Sequence, residues 1–261
     1  MPTIRSLTVI TGATGGIGSA IARRLASETA GLLLHGNTNA AALAGLSEEL
    51  GARPCTADLS TAGGRDALFS AFEDWAETCP DAESVSFVFA AGADLMTPAM
   101  KSLPFEERAR RTAELDLFAP VILARRFADW RARRRRGRGV NDTVLFFSWD
   151  GAFRGMEGET AQIYALAKGG LAAFAQSLAQ DLAGKVRVLT ISPGWIATAW
   201  GKKAGAAANQ RVSRESLSGR WGTPEEVADL AAFLLSDQAR YLNAVNIPLN
   251  GGFSHRECRE K

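Results

Sequence analysis

The chain has 261 residues, which is enough for one large α/β domain with a sizeable core. Apolar residues make up 46% and charged residues 22%, and the formal net charge of +2 gives no overall attraction to nucleic acid or to a membrane. No apolar run has the length of a membrane span, no signal-peptide pattern opens the chain, and the three cysteines are irregularly spaced without a CxxC motif. We therefore expect a cytoplasmic protein with neither a disulfide framework nor a metal site.

Short apolar runs alternate along the chain with longer segments of helical period. The predicted strands span 6–10, 31–35, 53–57, 85–90, 143–147, 186–191 and 244–248. The predicted helices span 17–29, 39–50, 63–78, 105–130, 160–183 and 224–235. Most of the strands lack in/out alternation, which is typical of a parallel sheet covered by helices on both faces. The pattern predicts a single α/β domain over 1–261 with a doubly wound sheet.

The first strand ends in a glycine-rich turn that leads into a helix. Such a turn brings unpaired backbone N–H groups and the positive end of the helix dipole to one point, which suits a pyrophosphate. Gly12 permits the tight turn, Gly16 allows backbone to approach the phosphates, and Gly18 allows close packing of helix on strand. The predicted cofactor contacts also include Thr14, Gly15 and Ile17. A glycine-rich loop without a ligand is the alternative.

The second strand ends in His35-Gly36-Asn37-Thr38-Asn39, without an acidic residue. A carboxylate at this position binds the adenosine ribose hydroxyls in NAD enzymes, so its absence favours a ribose 2′-phosphate and NADP(H). Asn37 and Thr38 are the predicted donors to that phosphate. No arginine accompanies them, so NAD(H) and a simple polar turn stay open. Asp58, after the third strand, could reach the adenine, although it equally suits the cap of the next helix. Leu59 is also a predicted cofactor contact.

The predicted catalytic residues lie in the second half of the chain. Tyr164 and Lys168 are four residues apart in a predicted helix and therefore share a face. The pKa of a free tyrosine is about 10, and a nearby ammonium group is expected to lower it. The lysine could also bind the nicotinamide ribose. Ser148 ends the fifth predicted strand, at the sheet edge where such folds bind ligands, and could hold a substrate carbonyl oxygen.

A Tyr-x-x-x-Lys pair alone is common on surface helices, and the order of the motifs decides its interpretation. In this order the motifs resemble the short-chain dehydrogenase/reductase family, and within it the 3-oxoacyl-carrier-protein reductases. The resemblance runs from the glycine-rich turn to Asn250-Gly251-Gly252. The other matching segments are Ser148-Trp149-Asp150-Gly151, Tyr164 to Lys168, Pro193 to Thr198, Arg220 to Val227 and Phe233 to Asp237.

The resemblance implies a Rossmann-type sheet of seven parallel strands and, usually, a homotetramer or homodimer. It implies that Ser148, Tyr164 and Lys168 are catalytic, with Tyr164 and Lys168 also touching the cofactor. Ile196 and Thr198 would contact the nicotinamide carboxamide. Further cofactor contacts implied by the matching motifs are Ala91, Gly92, Pro193 and Gly194.

Three departures from the family pattern stand out. The fourth strand normally ends Asn-Asn-Ala-Gly but here reads Phe89-Ala90-Ala91-Gly92. The catalytic asparagine of the family, which is thought to hold a water between the lysine and solvent, falls on Asp116. Asp116 can accept hydrogen bonds and would stabilise a protonated Lys168. The segment between Gly151 and Tyr164 is about three residues longer than in many relatives. We expect these changes to tune activity rather than abolish it.

Other segments carry weaker predictions. The arginine run 131–138 could bind nucleic acid, but it lacks interleaved aromatic residues and is interpreted as a solvated basic loop. The stretch 196–222 is predicted to be an irregular substrate loop, and 253–261 a short tail. Trp149, Trp195 and Trp200 flank motif residues and suit either a substrate pocket or the core. His35 and His255 are too few and too far apart for a metal site.

Together the residues predict an NADP(H)-dependent oxidoreductase that interconverts a ketone and a secondary alcohol, with a 3-oxoacyl compound as one candidate for the ketone. Its partner is a small-molecule carbonyl or alcohol, not nucleic acid or a membrane. In this prediction hydride moves between the nicotinamide and the carbonyl carbon while Tyr164 exchanges a proton with the oxygen. The same reaction with NAD(H) is one alternative. A dinucleotide-binding sensor or scaffold with little turnover is the other, suggested by Phe89-Ala90 and Asp116.

Overall fold

The computed structural model describes residues 6–134, 142–199, 201 and 204–254. Seven strands form one sheet in the order β3-β2-β1-β4-β5-β6-β7, and every neighbouring pair is parallel. The strands are β1 (Ser6–Thr11), β2 (Gly31–Gly36), β3 (Arg53–Thr56), β4 (Ser84–Phe89), β5 (Thr143–Phe147), β6 (Arg187–Pro193) and β7 (Val245–Leu249). The predicted doubly wound α/β sheet is confirmed, and each strand begins and ends within two residues of its predicted bounds.

Nine α-helices connect the strands in the described ranges. They are α1 (Gly16–Leu25), α2 (Ala40–Leu50), α3 (Ala62–Glu77), α4 (Pro98–Lys101), α5 (Phe105–Ala113), α6 (Ala119–Arg133), α7 (Glu159–Leu182), α8 (Ala206–Glu215) and α9 (Pro224–Leu235). None of the helices in the described part of the chain has both the length and the apolar character needed to cross a membrane.

The core lies on both faces of the sheet because successive strand residues point in opposite directions. In β1, Val9 packs into one cluster and Ile10 into the other, and both are fully buried. The first cluster is rich in aromatic rings, with Phe72, Phe87 and Phe127 at its centre. Burial on both faces explains why these strands read as continuous apolar runs instead of alternating patterns.

The predicted helix 105–130 is interrupted in the structure. A π-helical turn, Glu114–Phe118, separates α5 from α6. Pro120 has no N–H, so the Asp116 carbonyl lacks its usual donor four residues later. The Ala119 N–H instead donates to the carbonyl of Glu114, five residues back. The widened turn carries Asp116, and π-turns of this kind are frequent at functional sites.

The segment 196–222 was predicted to be irregular, and this is wrong for its middle. It contains α8, which buries only Val212 among its ten residues. Because only one of its side chains is buried, α8 lacks the repeating apolar residues by which a helix is predicted from sequence. The alanines at 206–208 were the available signal, since alanine is the strongest helix former.

Candidate active site

The glycine-rich turn lies where the chain order in the sheet reverses, at the carboxyl ends of β1 and β4. Ligands of open α/β sheets bind in this crevice. Gly12 has a φ of +67°, and a Cβ there would lie 2.6 Å from the Cα of Ala91, which follows β4. Glycine is therefore required at position 12 by its backbone conformation and by the close approach of the next strand end.

The start of α1 fits a pyrophosphate. Gly15 is its N-cap, and no side chain in the described residues caps the helix, so its first N–H groups keep their capacity to bind an anion. A Cβ on Gly18 would lie 2.2 Å from the Gly12 carbonyl oxygen, so the helix sits directly on the turn. A Cβ on Gly16 would lie 3.1 Å from the Thr198 side chain. The turn, Ala91 and Thr198 thus border one crevice.

The loop after β6 is held in place by a second segment of backbone. Ala197 N–H donates to the carbonyl of Gly222 at 2.8 Å, and Gly222 N–H donates to the carbonyl of Trp195 at the same distance. Ile196 is buried in the core, whereas Gly194 and Thr198 are partly exposed. Pro193 ends β6 and is buried. This arrangement places Thr198 opposite the glycine-rich turn.

The end of the crevice beside β2 is polar. Asn37 and Thr38 are exposed just beyond β2, and Asn39 caps α2 through the Ala42 N–H. The Asp58 carboxylate accepts from the backbone and hydroxyl of Ser60, while α3 is capped by a different residue, Thr61. The alternative role of Asp58 as that helix cap is therefore wrong.

Leu59 contributes to the core and not to the crevice through its side chain. It is 2% exposed and packs in the aromatic cluster. Its carbonyl oxygen accepts a hydrogen bond from Arg65 at 3.0 Å. A contact between Leu59 and the cofactor would therefore have to come from the backbone.

Tyr164, Lys168 and Asp116 meet around one backbone unit, Ala93, beyond the end of β4. The Tyr164 hydroxyl donates to the Ala93 carbonyl at 3.2 Å, and the Ala93 N–H donates to Asp116 Oδ2 at 2.7 Å. Asp116 Oδ1 lies 2.7 Å from Lys168 Nζ in an ion pair whose two side chains are almost fully buried. A Cβ on Gly92 would come within 2.9 Å of Asp116 Oδ1, so glycine there permits the carboxylate to approach.

The pKa of Tyr164 is raised, not lowered as the sequence predicted. Burial of the phenol is the main cause, and the carboxylates of Asp116 and Asp94 add to it by repelling a phenolate. The Lys168 ammonium, which was expected to lower this pKa, faces Asp116, and its Nζ lies 5.9 Å from the centre of the Tyr164 ring. Tyr164 is therefore held as a protonated phenol at neutral pH.

Ser148 follows β5 at the same sheet edge, and its side chain is 5% exposed. Its hydroxyl donates to the backbone carbonyl of Lys168 at 2.8 Å. The single hydroxyl proton of Ser148 is thus used in a hydrogen bond to the backbone of α7. Ser148 would have to rotate its O–H to donate to a substrate oxygen. The bond also ties the end of β5 to the helix that carries Tyr164 and Lys168.

A cavity of about 280 Å³ is lined by Trp149. The Trp149 and Tyr164 rings are perpendicular, and their centres lie 6.1 Å apart. Trp195 and Phe253 line the cavity together with residues of the extended 151–163 segment, among them Met156. Two arginines also line it, each beside an aromatic ring: Arg154 lies over Phe253 and Arg211 over Trp195. Both arginines pair with carboxylates, Arg154 with Asp150 and Arg211 with Glu215.

The altered end of β4 is accommodated by neighbouring residues. Phe89 is buried and stacks on Phe87 and Phe146, with ring centres 5.8 and 5.3 Å away. The Thr11 hydroxyl, which the sequence analysis did not single out, accepts from the Ala91 N–H at 3.1 Å. Ala93 was also missed, because a residue that acts through its backbone leaves no side-chain signal in the sequence.

The arginine run is described only as far as residue 134. Arg131 pairs with the buried carboxylate of Asp142, and Arg134 lies over the Trp130 ring. These contacts account for two of its arginines as structural groups. The predictions for residues 135–138, Trp200 and His255 lie outside the described residues. Within the described residues, no group of three or more His, Cys, Asp or Glu side chains could hold a metal ion.

Comparisons with known proteins extend over nearly the whole chain. The model of the enoyl-(acyl carrier protein) reductase family matches residues 12–254. An uncharacterized oxidoreductase, YmfI of Bacillus subtilis, is 30% identical over 94% of this chain and 97% of its own. The 3-oxoacyl-(acyl-carrier-protein) reductase FabG of Aquifex aeolicus is 27% identical over 94% and 96%. The angucycline ketoreductase LanV, solved with NADP, superposes with a TM-score of 0.79 at 24% identity, over 96% of each chain.

Three features of the structure are typical of a nicotinamide-dependent oxidoreductase. The sheet is parallel with this strand order, the glycine-rich turn lies where the chain order reverses, and Tyr164 and Lys168 lie at the same sheet edge. The chain belongs to the short-chain dehydrogenase/reductase family. It is an NAD(P)-dependent enzyme of that family and resembles its FabG members.

Proposed function

We propose that this enzyme is an NADP(H)-dependent reductase that converts a ketone into a secondary alcohol, with Tyr164 as the proton donor. The observation that carries the proposal is the set of contacts around Ala93. Tyr164 and Asp116 bond its backbone and Lys168 pairs with Asp116, close to the glycine-rich turn. The nicotinamide, when bound, supplies the hydride. Gly12, Gly16 and Gly18 shape the phosphate site, and Thr198 borders it.

The protonation state of Tyr164 favours the reductive direction at neutral pH. A carbonyl that gains a hydride becomes an alkoxide, which is a far stronger base than a phenolate. A phenol with a raised pKa therefore still gives its proton to that oxygen, and it stays protonated over a wide range of pH. In the oxidative direction the phenolate is needed, so this direction requires alkaline conditions. Lys168 and Asp116 support the site as an ion pair next to the phenol.

The cofactor preference rests on the polar, acid-free end of β2. Asn37 and Thr38 are exposed, and residues 35–39 include no carboxylate that would repel a 2′-phosphate. Asp58 follows the neighbouring strand β3, and its carboxylate accepts hydrogen bonds from the backbone and hydroxyl of Ser60. The site therefore suits NADP(H), with NAD(H) as the alternative.

The cavity beyond Trp149 suits the part of the substrate that does not react. Its aromatic walls bind a planar or apolar group, and its arginines are already neutralised by carboxylates. An anionic tail would therefore find little net attraction there. This favours a neutral ketone over a 3-oxoacyl thioester whose carrier bears phosphate groups.

A catalytically weak member of the family that acts as a dinucleotide sensor or scaffold is the second candidate. Two observations favour it: the Lys168 ammonium is engaged by Asp116, and the Ser148 hydroxyl by a backbone carbonyl. In such a protein the crevice would hold the dinucleotide as a sensed ligand. The two candidates make opposite predictions for turnover.

The proposal is tested by binding and turnover together. We expect NADP to raise the melting temperature more than NAD at equal concentration, because, of two ligands that bind only the folded state, the tighter one stabilises it more. We then expect oxidation of NADPH in a panel that contains neutral aromatic and aliphatic ketones and 3-oxoacyl thioesters. A larger rise with NAD would reverse the cofactor preference. Binding without oxidation across the panel would support the sensor.

Replacing Asp116 with Asn is expected to shift the pH profile of catalysis. The change removes a carboxylate that raises the pKa of Tyr164 and releases the Lys168 ammonium from its pair. The folded-state pKa of the phenol then falls, so the rate of reduction begins to decline at a lower pH, by roughly one pH unit. Turnover at neutral pH should change by less than about 100-fold, the lower end of a general acid contribution. The measurement is kcat/KM for oxidation of the alcohol between pH 7 and 10, where the rate follows the fraction of phenolate. A phenol pKa lower by about one unit gives about tenfold more phenolate throughout this range.

Asp94→Asn is the matched control for this variant. Asp94 is exposed, has the weaker influence on the pKa of Tyr164, and forms no ion pair with Lys168 in the described contacts. Its profile should shift in the same direction by a smaller amount. Superimposable profiles for wild type and Asp116→Asn would show that Asp116 does not tune the phenol.

A further inference from the structure

His35 joins the glycine-rich turn to the end of β3 through its imidazole ring. It lies in β2 and is 2% exposed. The Gly12 N–H donates to Nδ1 at 3.3 Å, and Nε2 lies 2.9 Å from the Ala57 carbonyl oxygen. A carbonyl only accepts, so Nε2 must carry the proton, and an N–H only donates, so Nδ1 must be bare. Two backbone groups thus specify one neutral tautomer.

The surroundings of His35 keep the ring neutral. Burial lowers its pKa, and the bond to Ala57 and the carboxylate of Asp58 oppose this only in part. Cys55 lies beside it in the register of β3, and burial raises the pKa of that thiol, so it is uncharged as well. The neighbouring stretch of β1 and its turn, residues 7–18, contains no titratable side chain. On α3, Arg65 is bound to the carbonyls of Leu59 and Ser60 and lies 3.9 Å from Glu114.

The backbone on both sides of the Gly12 Cα has little room to move. A Cβ on Gly12 would collide with the backbone of Ala91, and one on Gly18 would collide with the Gly12 carbonyl oxygen. The same carbonyl oxygen accepts from the Gly15 N–H at 3.0 Å. The Gly12 N–H and the Gly12 carbonyl lie in consecutive peptide units on either side of the Gly12 Cα. The position of the first unit therefore helps to set how the second meets the start of α1.

We propose that His35 is a positioning residue for the cofactor: as a neutral imidazole it holds the Gly12 peptide in the orientation that binds the pyrophosphate, and protonation of the ring releases it. A protonated ring presents N–H on both sides, so Nδ1 then faces the Gly12 N–H without a lone pair to offer. The turn then loses its side-chain bond to β2 and keeps the backbone bond from the Ala13 N–H to the His35 carbonyl, at 2.8 Å. With the Gly12 N–H no longer held, dinucleotide affinity falls as the pH falls. This inference rests on the proposed dinucleotide site.

The test is the affinity for NADP at pH 7.5 and pH 5.5, measured by calorimetry with wild type, His35→Asn and His35→Leu. The amide oxygen of Asn accepts from the Gly12 N–H and does not titrate, whereas Leu offers no acceptor. From pH 7.5 to pH 5.5 wild type should lose severalfold more affinity than His35→Asn. The factor stays below the roughly tenfold that a ring of unshifted pKa would give, because burial lowers the pKa of His35. Titration of the 2′-phosphate is common to all three proteins and cancels in the ratio. His35→Leu should bind about tenfold more weakly than His35→Asn at pH 7.5.

Hydrogen exchange of the peptide that contains Gly12 supplies a readout without cofactor. After correction for intrinsic rates, protection of this peptide in wild type should drop between pH 7.5 and pH 5.5, while peptides from β5 keep theirs. Unchanged protection, or parallel affinity profiles for wild type and His35→Asn, would overturn the role of His35. Failure of wild type to bind NADP or NAD at pH 7.5 would instead overturn the dinucleotide site, and the exchange result would still decide whether His35 holds Gly12. Urea unfolding of each variant at both pH values separates loss of the turn from loss of the fold.

Discussion

Replacing Tyr164 with Phe is expected to lower kcat for ketone reduction by about 10² to 10⁴-fold, the usual contribution of a general acid. The phenylalanine ring preserves the contact with Trp149 and removes only the hydroxyl, which donates to the Ala93 carbonyl. The loss of that one hydrogen bond should cost about 1 kcal/mol of stability. The affinity of the variant for NADP should stay within about threefold of the wild-type value, because the substitution leaves the glycine-rich turn unchanged. Initial rates and calorimetric titration measure the two effects separately.

The other tyrosine of the chain provides the control. Tyr241 is fully exposed, so Tyr241→Phe should leave rate, affinity and stability unchanged. If Tyr164→Phe reduced ketones at the wild-type rate, the proton would have to come from another group, and the proposed role of Tyr164 would be wrong. Equal loss of rate and of NADP affinity would point to a collapsed site instead of a missing acid.

Replacing Gly18 with Ala is expected to disrupt the cofactor site and destabilise the fold. The added methyl would lie 2.2 Å from the Gly12 carbonyl oxygen and 3.0 Å from the Ala13 Cα, both of which are backbone atoms that cannot swing aside. Overpacking of this kind costs roughly 1–3 kcal/mol, more than the helix propensity gained from alanine. Because α1 must move away from the turn, we expect at least about tenfold weaker NADP binding, or 1.4 kcal/mol. Urea unfolding and calorimetry measure the two losses.

Gly45→Ala isolates the clash from the general effect of the substitution. Gly45 lies in α2, and a Cβ there would have no neighbour within 4 Å among the described residues. This variant should gain about 0.5–1 kcal/mol of stability and bind NADP normally. Wild-type affinity in Gly18→Ala would show that the packing of α1 on the turn does not shape the cofactor site.

The strand positions were predictable because burial on both faces leaves a signal in the sequence itself. Each central strand is a short apolar run between helical segments, and the structure places it within two residues of the prediction. The pairing of Asp116 with Lys168 was also anticipated, since the family pattern aligns the two positions and opposite charges attract. The resemblance identified the family, which the comparisons confirm.

The details of the site were not predictable in the same way. The π-turn at Glu114–Phe118 depends on the hydrogen bond that Pro120 cannot form, and α8 has too few buried residues to show a period. The direction of the Tyr164 pKa depends on how deeply the phenol is buried and on which partner the Lys168 ammonium faces. Neither quantity is a property of the spacing between Tyr164 and Lys168.

The amino-acid sequence alone determined the fold class, the motif order and the residue types available for catalysis, because periodicity and turn chemistry are local properties. Only the tertiary structure decided which of those groups engage one another. Ala93 joins Tyr164 to Asp116, Ser148 turns its hydroxyl to α7, and His35 holds Gly12, through contacts between segments far apart in the chain. Burial and partner choice determine the protonation of these groups, and both arise only when the sheet edge is assembled.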